Sequence, residues 1–371
     1  MIDRRYLKLC ELKYFFNTYL KKKIFIISGK NSYFKSGAKD FLKKYLKDHN
    51  IKYFFKKSYY PEIKELIQLI NSIHKYKPDL ILAIGGGSVI DYAKIANIEN
   101  IEKNTIFKIT KSNHLTDKKY AKLFTIPTTA GSGAEVTSNA VIYINKIKYS
   151  LEGENLIPNY FSLIPQILVK NKNKLKSSAG FDAISQAVES IISVRSTSDS
   201  LKFAYKSLDL SLSNYIDFLK KPSISNSNNM ALAAMYSGKA ISISKTTAPH
   251  AVSYPFTSLY GISHGHAVSL TLEKFLKFNY ENIDKSISEF SLKNRYNKLF
   301  KIFKVKNIYD LQYKIMKIKK DAKLNDNFTQ LNINIDTGIN KILDGINIER
   351  LKNNPIKLTR KDIGFILKQK K

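Results

Sequence analysis

The segment LILAIGGGSVIDYAKI, residues 80–95, decides the fold of this chain. A short apolar run at 80–84 leads directly into three glycines, and an amphipathic stretch of helical period follows. This succession predicts a buried parallel strand, a tight turn and a helix. Gly85, Gly86 and Gly87 let the backbone approach a ligand closely, and the free N–H groups at a helix start favour an anion such as a phosphate.

A second loop, PTTAGSGAEVT at 127–137, follows another expected strand at 123–126. A glycine turn alone is weak evidence, because a plain strand-to-helix connection also contains one. Hydroxyl groups and small residues at this density suit a groove for a ribose and a diphosphate, so the two loops together predict a dinucleotide site. Ser88 and Asp91 also resemble a capping box for the helix. The predicted coenzyme contacts in the two loops are Gly85, Gly86, Gly87, Ser88, Asp91, Thr128, Thr129, Ser132 and Thr137.

The remaining pattern divides the chain into two halves. Strands are expected at 23–28, 51–55, 80–84 and 123–126, and helices at 38–49, 61–74, 182–194 and 198–218. Strands that alternate with helices predict a parallel sheet covered on both faces, whereas the later period is helical throughout. We therefore expect an α/β domain over residues 1–175 and an all-helical domain over 176–371. The polar stretch 223–229 is expected to be a loop between two helices.

Composition limits the class of protein. Of 371 residues 43% are hydrophobic, enough for packed cores, and no apolar run approaches the roughly 20 residues that span a bilayer. The single cysteine, Cys10, excludes an intramolecular disulfide and a cysteine metal cage, which is typical of a reducing compartment. Together with the lack of a long apolar run, this predicts a cytoplasmic protein without membrane partners. The formal charge of +32 has three interpretations: genomic drift toward Lys, attraction of anionic substrates, or nucleic-acid binding. Because the lysines are spread along the chain, we favour drift and do not expect nucleic acid.

Four segments carry a family resemblance: IGGGSVIDYAKI, IPTTAGSGAEVTS, AGFDAISQAVES and NIERLKNNPIKLTRKDI, together with two later histidines. They resemble the signature segments of iron-containing alcohol dehydrogenases, and the similarity covers nearly the whole chain. The resemblance implies an N-terminal Rossmann-like nucleotide-binding domain, an all-α metal-binding C-terminal domain and a metal in the cleft between them. It also implies an NAD(P)-dependent oxidoreductase that interconverts a small aldehyde and a primary alcohol, and we expect a homo-oligomer, such as a dimer.

The expected metal ligands are Asp182, Gln186, His250 and His264, which match the family's one Asp and three His. Asp182 and Gln186 lie four residues apart on an expected helix and so share one face. A helix N-cap role for the Asp and hydrogen-bonded core positions for the histidines are the alternatives. Gln186 departs from the family, because a weak amide oxygen replaces an imidazole nitrogen. We therefore expect weaker metal binding, or a shift from Fe²⁺ toward Zn²⁺.

A second departure concerns proton transfer. Many relatives carry a further His four residues after the first metal His, and here that position is Tyr254. The candidates for proton delivery are Tyr254, His266 and water, and the sequence does not choose among them.

The coenzyme is expected to be NADPH in preference to NADH. After the first long strand come Gly29 and Lys30, with no acid to hold a ribose 2′-hydroxyl. This segment is similar to that of NADPH-using family members, and Lys30 would meet the 2′-phosphate. The alternative is that Lys30 is one of many surface lysines.

The substrate is expected to be a small anionic aldehyde. Lys245, Thr246 and Thr247 lie about one turn ahead of His250, where they would bind an anionic group. The stretches SISKTTAPHAVSYP and GISHGHAVSLTL resemble the phosphonoacetaldehyde reductase subgroup, whose product is 2-hydroxyethylphosphonate. The alternatives are another anionic carbonyl or sugar acid, a general aldehyde, and a non-catalytic basic protein that binds nucleic acid.

Overall fold

The computed structural model describes residues 5–58, 60–98, 106, 109–110, 118–145 and 147–369. Within it the chain forms two compact units. The first comprises Met1–Asn171 and Ser223–Ala231, and the second comprises Lys172–Pro222 and Leu232–Lys371.

The first unit is built on a six-stranded parallel sheet with the strand order β1-β8-β5-β4-β2-β3. Its strands are β1 (Arg5–Tyr6), β2 (Lys23–Gly29), β3 (Asn50–Lys56), β4 (Leu80–Gly85), β5 (Lys122–Pro127) and β8 (Tyr160–Phe161). The intervening β6 (Asn139–Ile144) and β7 (Ile147–Glu152) form a separate antiparallel hairpin. The helices of this unit are α1 (Leu12–Asn17), α2 (Ala38–Leu46), α3 (Ile63–Tyr76), α4 (Gly87–Ala96) and α5 (Pro165–Val169).

Both faces of the central strands β2, β4 and β5 are buried, which explains why these strands are largely apolar without polar alternation. In β4, Ile81 and Ala83 pack into one hydrophobic cluster, whereas Leu82 and Ile84 pack into the other. The amphipathic helices α2 and α3 contribute to opposite clusters, Leu42 of α2 to one and Leu66 of α3 to the other. Helices thus cover the sheet on both sides.

The second unit is helical. Its helices are α6 (Asn173–Ile192), α7 (Ser198–Lys220), α8 (Ile224–Ser244, whose first turns group with the first unit), α9 (Ala248–Tyr260), α10 (His264–Ser269), α11 (Leu272–Glu281), α12 (Leu292–Phe303), α13 (Ile308–Asp321), α14 (Ile335–Asp344), α15 (Ile348–Leu351) and α16 (Arg360–Lys368). One of its cores joins Val252 and Phe256 of α9 to Phe275 of α11 and Ile366 of α16. No helix within the described ranges has both the length and the apolar character that crossing a membrane requires.

The predicted fold class, an α/β unit followed by an all-α unit, is confirmed. The loop predicted at 223–229 is wrong, because α8 begins at Ile224. Its start is stabilised by a reciprocal pair: the Ser223 backbone N–H donates to Asn226 Oδ1 at 2.8 Å, and the Asn226 N–H donates to Ser223 Oγ at 3.2 Å. A polar run that caps a helix has the same composition as a loop, which explains the error.

One buried lysine ties the helix after the glycine turn to the second loop. The Lys94 ammonium donates to the Thr137 carbonyl at 2.9 Å, to Thr137 Oγ1 at 2.8 Å and to the Asn139 carbonyl at 2.9 Å. Burial lowers the pKa of Lys94 to about 8, although the nearby carboxylates of Asp91 and Glu135 favour its charged form. All three ammonium protons are used, so Lys94 fixes the end of the second loop against α4.

We expect Lys94→Met to destabilise the first unit, because it leaves buried oxygen acceptors without their charged donor. The cost should be about 3 kcal/mol, or roughly 6–12 °C in Tm for a unit of this size. Thermal unfolding measures this shift, and the exposed Lys35→Met serves as the control. An equal, small shift in both variants would show that the three hydrogen bonds do not stabilise the loop.

Candidate functional sites: the glycine-rich loops and an Asp-His-His cluster

The two loops predicted to bind a coenzyme lie against each other in the first unit. The Thr128 N–H donates to the Gly85 carbonyl at 3.0 Å, which extends the pairing of β4 with β5. A Cβ placed on Gly86 would lie 3.2 Å from Thr129 Oγ1, and one on Gly87 would lie 2.7 Å from Ser132 Oγ. The absence of side chains at these glycines therefore permits the loops to touch.

Helix α4 begins with Gly86 as its N-cap, and no side chain caps it. The capping box expected from Ser88 and Asp91 is therefore wrong, because both residues lie inside the helix. The Asp91 carboxyl instead accepts the backbone N–H of Val141 in β6, and burial raises its pKa to about 6. The first turn of α4 thus keeps its N–H groups without a side-chain cap, as an anion-binding turn requires.

Gly29 and Lys30 lie where the sequence predicts, at the end of β2. Gly29 is half-buried, and Lys30 is exposed at the start of a helical turn, Asn31–Lys35. An exposed ammonium at the carboxyl end of a parallel strand is available to a ligand there.

In the second unit, Asp182 of α6, His250 of α9 and His264 of α10 converge. Their ligand atoms all lie within 4.8 Å of one another. Asp182 Oδ1 lies 3.2 Å from His250 Nε2 and 3.8 Å from His264 Nε2, so one carboxylate oxygen faces both imidazoles. Asp182 and His250 are buried, whereas 38% of the His264 side chain is exposed. The cluster thus has a closed side and an accessible side.

Glu189, one helical turn beyond Gln186 on α6, holds His250 from behind. The His250 Nδ1–H donates to Glu189 Oε2, and Glu189 Oε1 accepts the backbone N–H of Thr247 at 3.0 Å and that of His250 at 3.2 Å. Sequence reasoning missed Glu189, although its position seven residues after Asp182 puts it on the same helix face. A carboxylate behind an imidazole fixes the ring's tautomer and orientation, as is usual behind metal-binding histidines.

The cluster attracts positive charge. Burial alone would lower the pKa of His250, but the charge of Glu189 and the hydrogen bonds with Asp182 and Glu189 outweigh burial and raise it to about 9. Two buried carboxylates, from Asp182 and Glu189, within contact of one imidazole give the pocket a negative potential, which favours a cation.

Gln186 lies beside the cluster with its amide engaged on both sides. Its Nε2 donates to Asp182 Oδ2 at 3.3 Å, and Ser237 Oγ of α8 lies 2.9 Å from its Oε1. Ser237 is another residue that sequence reasoning missed, since no local pattern links it to α6.

The two expected proton donors differ in their surroundings. The Tyr254 ring stacks on His264, with centroids 5.8 Å apart. Burial raises the pKa of Tyr254, while the charge of Arg350 and a hydrogen bond with Thr246 oppose that effect. His266 Nε2 instead donates to the Asn325 carbonyl at 2.5 Å, and burial lowers the pKa of its ring. The structure thus brings Tyr254, and not His266, into contact with the cluster.

Lys245 is buried and has a left-handed backbone, φ 61°, between α8 and α9. This arrangement differs from the surface lysine that composition alone allows. Two residues after Lys245, Thr247 donates its hydroxyl to Glu189 Oε1 at 3.0 Å.

Gly265 permits the close packing of α10 on α6. A Cβ at this position would lie 1.9 Å from the Ser178 carbonyl oxygen and 2.8 Å from Asp182 Cβ. The backbone of α10 thereby approaches α6 closely enough for His264 to reach Asp182.

The sequence profile of iron-containing alcohol dehydrogenases matches residues 8–165, and that of the C-terminal part of the Fe-containing alcohol dehydrogenase family matches residues 176–370. The chain belongs to the iron-containing alcohol dehydrogenase family. The predicted family and its fold are confirmed.

Two curated relatives in this family are similar over part of their length. The phosphonoacetaldehyde reductase of Streptomyces viridochromogenes is 29% identical over 57% of this chain and 56% of its own. The 4-hydroxybutyrate dehydrogenase of Clostridium kluyveri is 27% identical over 60% of each chain. The matched region thus spans less than two thirds of either relative. The crystal structure of sulfoacetaldehyde reductase from Bifidobacterium kashiwanohense with NAD⁺ superposes with a TM-score of 0.84, at 22% identity, over 99% of this chain and 96% of that one.

Gly265→Ala should disrupt this family member's Asp-His-His cluster, because the added methyl group overlaps a backbone oxygen that cannot move without shifting α6. We expect the free energy of unfolding to fall by at least about 3 kcal/mol, which is the upper end of the usual range for overpacking. Gly364→Ala is the matched control, since nothing lies within 4 Å of its added Cβ in α16. In the control, the free energy of unfolding should rise by roughly 0.5–1 kcal/mol, because alanine favours a helix interior over glycine. Denaturant unfolding that gives both variants the same stability would contradict the close packing.

Proposed function

We propose that the chain is a metal-dependent NAD(P)H-linked reductase that converts a small anionic aldehyde to its primary alcohol, with phosphonoacetaldehyde as the expected substrate. The observation that carries this proposal is the convergence of Asp182, His250 and His264, backed by Glu189. A bound nicotinamide coenzyme would supply the hydride for the carbonyl carbon and a protein group the proton for the oxygen, so that aldehyde, NAD(P)H and H⁺ would become alcohol and NAD(P)⁺.

The three side chains of the cluster suit a divalent metal ion. One carboxylate and two imidazoles can bind Fe²⁺ or Zn²⁺, and a carboxylate hydrogen-bonded to a ligating imidazole makes that imidazole a stronger ligand. When bound, such an ion supplies Lewis acidity toward the substrate oxygen. Glu189 keeps the His250 proton on Nδ1, which leaves Nε2 to face Asp182.

Tyr254 is the proposed proton donor. Its phenol is buried, its raised pKa keeps it protonated near neutrality, and its ring lies against the accessible histidine of the cluster. His266 suits this role less well, because its ring donates a hydrogen bond to the Asn325 carbonyl.

The coenzyme loops support a nicotinamide dinucleotide, with the diphosphate at the start of α4. The contacts that we propose are those predicted from the two loops, together with Gly29 and Lys30. NADPH remains the preferred coenzyme, because an exposed lysine and no acid follow β2.

The anionic substrate is supported by the names of the two relatives, one acting on a phosphonate and the other on a carboxylate. Lys245 is the group that we propose to pair with the anion, since its buried position excludes the role of a solvated surface charge.

Substrate-dependent oxidation of NADPH by the purified protein tests the proposal, with phosphonoacetaldehyde and a divalent ion present.

His264→Ala should abolish both metal binding and turnover, because it removes the accessible imidazole. NADPH should give a higher kcat/KM than NADH. Absence of turnover with any aldehyde, together with a salt-sensitive shift of generic DNA in a gel, would favour the nucleic-acid alternative.

Lys245→Met should impair the enzyme selectively. Loss of a hydrogen bond to a charged group costs about 1.5–3 kcal/mol, which is roughly 10- to 150-fold in kcat/KM for phosphonoacetaldehyde. Butanal, which is neutral, should be reduced almost as well as before. Steady-state kinetics with both aldehydes measure the difference.

The control for Lys245→Met is Lys202→Met, which removes an exposed lysine of α7 paired with Asp199. It should leave both rates unchanged. If Lys245→Met lowers both rates equally, the lysine supports the fold or the metal cluster, and the anionic pairing is wrong.

A further inference from the structure

Gln186 occupies the position where the family resemblance expects a fourth metal ligand, yet its contacts are those of a hydrogen-bonding residue. Its side-chain N–H donates to Asp182 Oδ2. The two histidine Nε2 atoms face the other oxygen, Oδ1. The amide therefore contacts a different carboxylate oxygen from the one that faces the imidazoles.

The second half of the amide is also in use. Ser237 Oγ lies 2.9 Å from Gln186 Oε1 and 2.9 Å from the Ala234 carbonyl, within the buried packing of α6 on α8. The opposite orientation of the amide would place its oxygen 3.3 Å from Asp182 Oδ2, where two acceptors repel each other. The donor orientation gives a charge-assisted hydrogen bond instead.

We infer that Gln186 is a positioning residue and not a metal ligand: it holds Asp182 so that Oδ1 alone faces the ion. This inference rests on the proposed function, because it presupposes a metal at the cluster. The protein then supplies three ligand atoms, from Asp182, His250 and His264. Two imidazoles and one carboxylate, with the remaining position open to water or substrate, are a frequent ligand set of catalytic zinc and iron sites.

The ligand count can be measured on the metal-free protein reconstituted with Co²⁺, whose visible absorption reports the number and kind of its ligands. Gln186→Met removes both hydrogen bonds at similar volume and offers no oxygen. We expect the Co²⁺ spectrum to keep its band positions and intensity. The Kd for Co²⁺, from competition with a chelator, should rise about tenfold, as for other residues that orient a ligand.

Gln186→His is the converse variant, because it adds a nitrogen ligand where the wild type has none. Its Co²⁺ spectrum should change, and its Kd should fall. Ser185→Ala is the matched control: this buried serine neighbours Gln186 on α6 but donates to the Phe181 carbonyl, so both its spectrum and its Kd should equal those of the wild type.

The outcomes separate the inference from the proposed function. A Gln186→Met spectrum that shifts to a different ligand set would overturn the inference, because it would show that the wild-type amide is a ligand. A wild-type protein that binds neither Co²⁺ nor Zn²⁺ would overturn the proposed function, and the inference with it.

Discussion

The hydrogen bond between Glu189 and His250 is the interaction on which the rest of the site depends. Both side chains are buried, and a buried carboxylate without a partner would destabilise the fold by several kcal/mol. The imidazole satisfies Glu189 through Nδ1, and this fixes the direction in which Nε2 points. Because Asp182 lies on the same helix as Glu189, one rigid element positions both carboxylates against α9.

The packing of the helices is adapted to this polar interior. Helix α6 and its C-cap Ser193 meet the end of α8 through hydroxyl groups: Ser190 accepts the Ser244 hydroxyl at 2.8 Å, and Ser193 donates to the Ser244 carbonyl at 2.7 Å. Gly265 allows α10 to contact the backbone of α6 directly. Larger apolar residues would separate the helices and move the two imidazoles away from Asp182, so the small residues are a condition for the cluster.

The sequence was sufficient for strands β2 to β5 and for the glycine turn, because strand and turn patterns are local, whereas Asp182, His250 and His264 were expected from the family resemblance. The β6–β7 hairpin was not predicted, and strands β1 and β8, with two residues each, are too short to give a pattern. The direction of His266 toward Asn325 was also not predictable, since it depends on a segment about 60 residues away along the chain. The contact between Gln186 and Ser237 is of the same kind: helical periodicity gives the face of α6, but not the residue of α8 that meets it.

The Glu189 carboxylate also joins the Asp-His-His cluster to the segment proposed to bind the substrate anion. Lys245 adopts a left-handed conformation, which costs a non-glycine residue about 1–2 kcal/mol and therefore requires support from its surroundings. That support comes two residues later, where the backbone N–H and the hydroxyl of Thr247 both donate to Glu189 Oε1. Since Oε2 of the same carboxylate accepts the His250 proton, the turn that carries Lys245 and the ring that faces Asp182 are fixed by one side chain. Gln186 and Glu189 have different partners on α6: the amide of Gln186 meets Asp182 and Ser237, whereas the carboxylate of Glu189 meets His250 and Thr247. This arrangement explains how the chain can carry Gln186 where the family resemblance expects a histidine and still bring Asp182, His250 and His264 together.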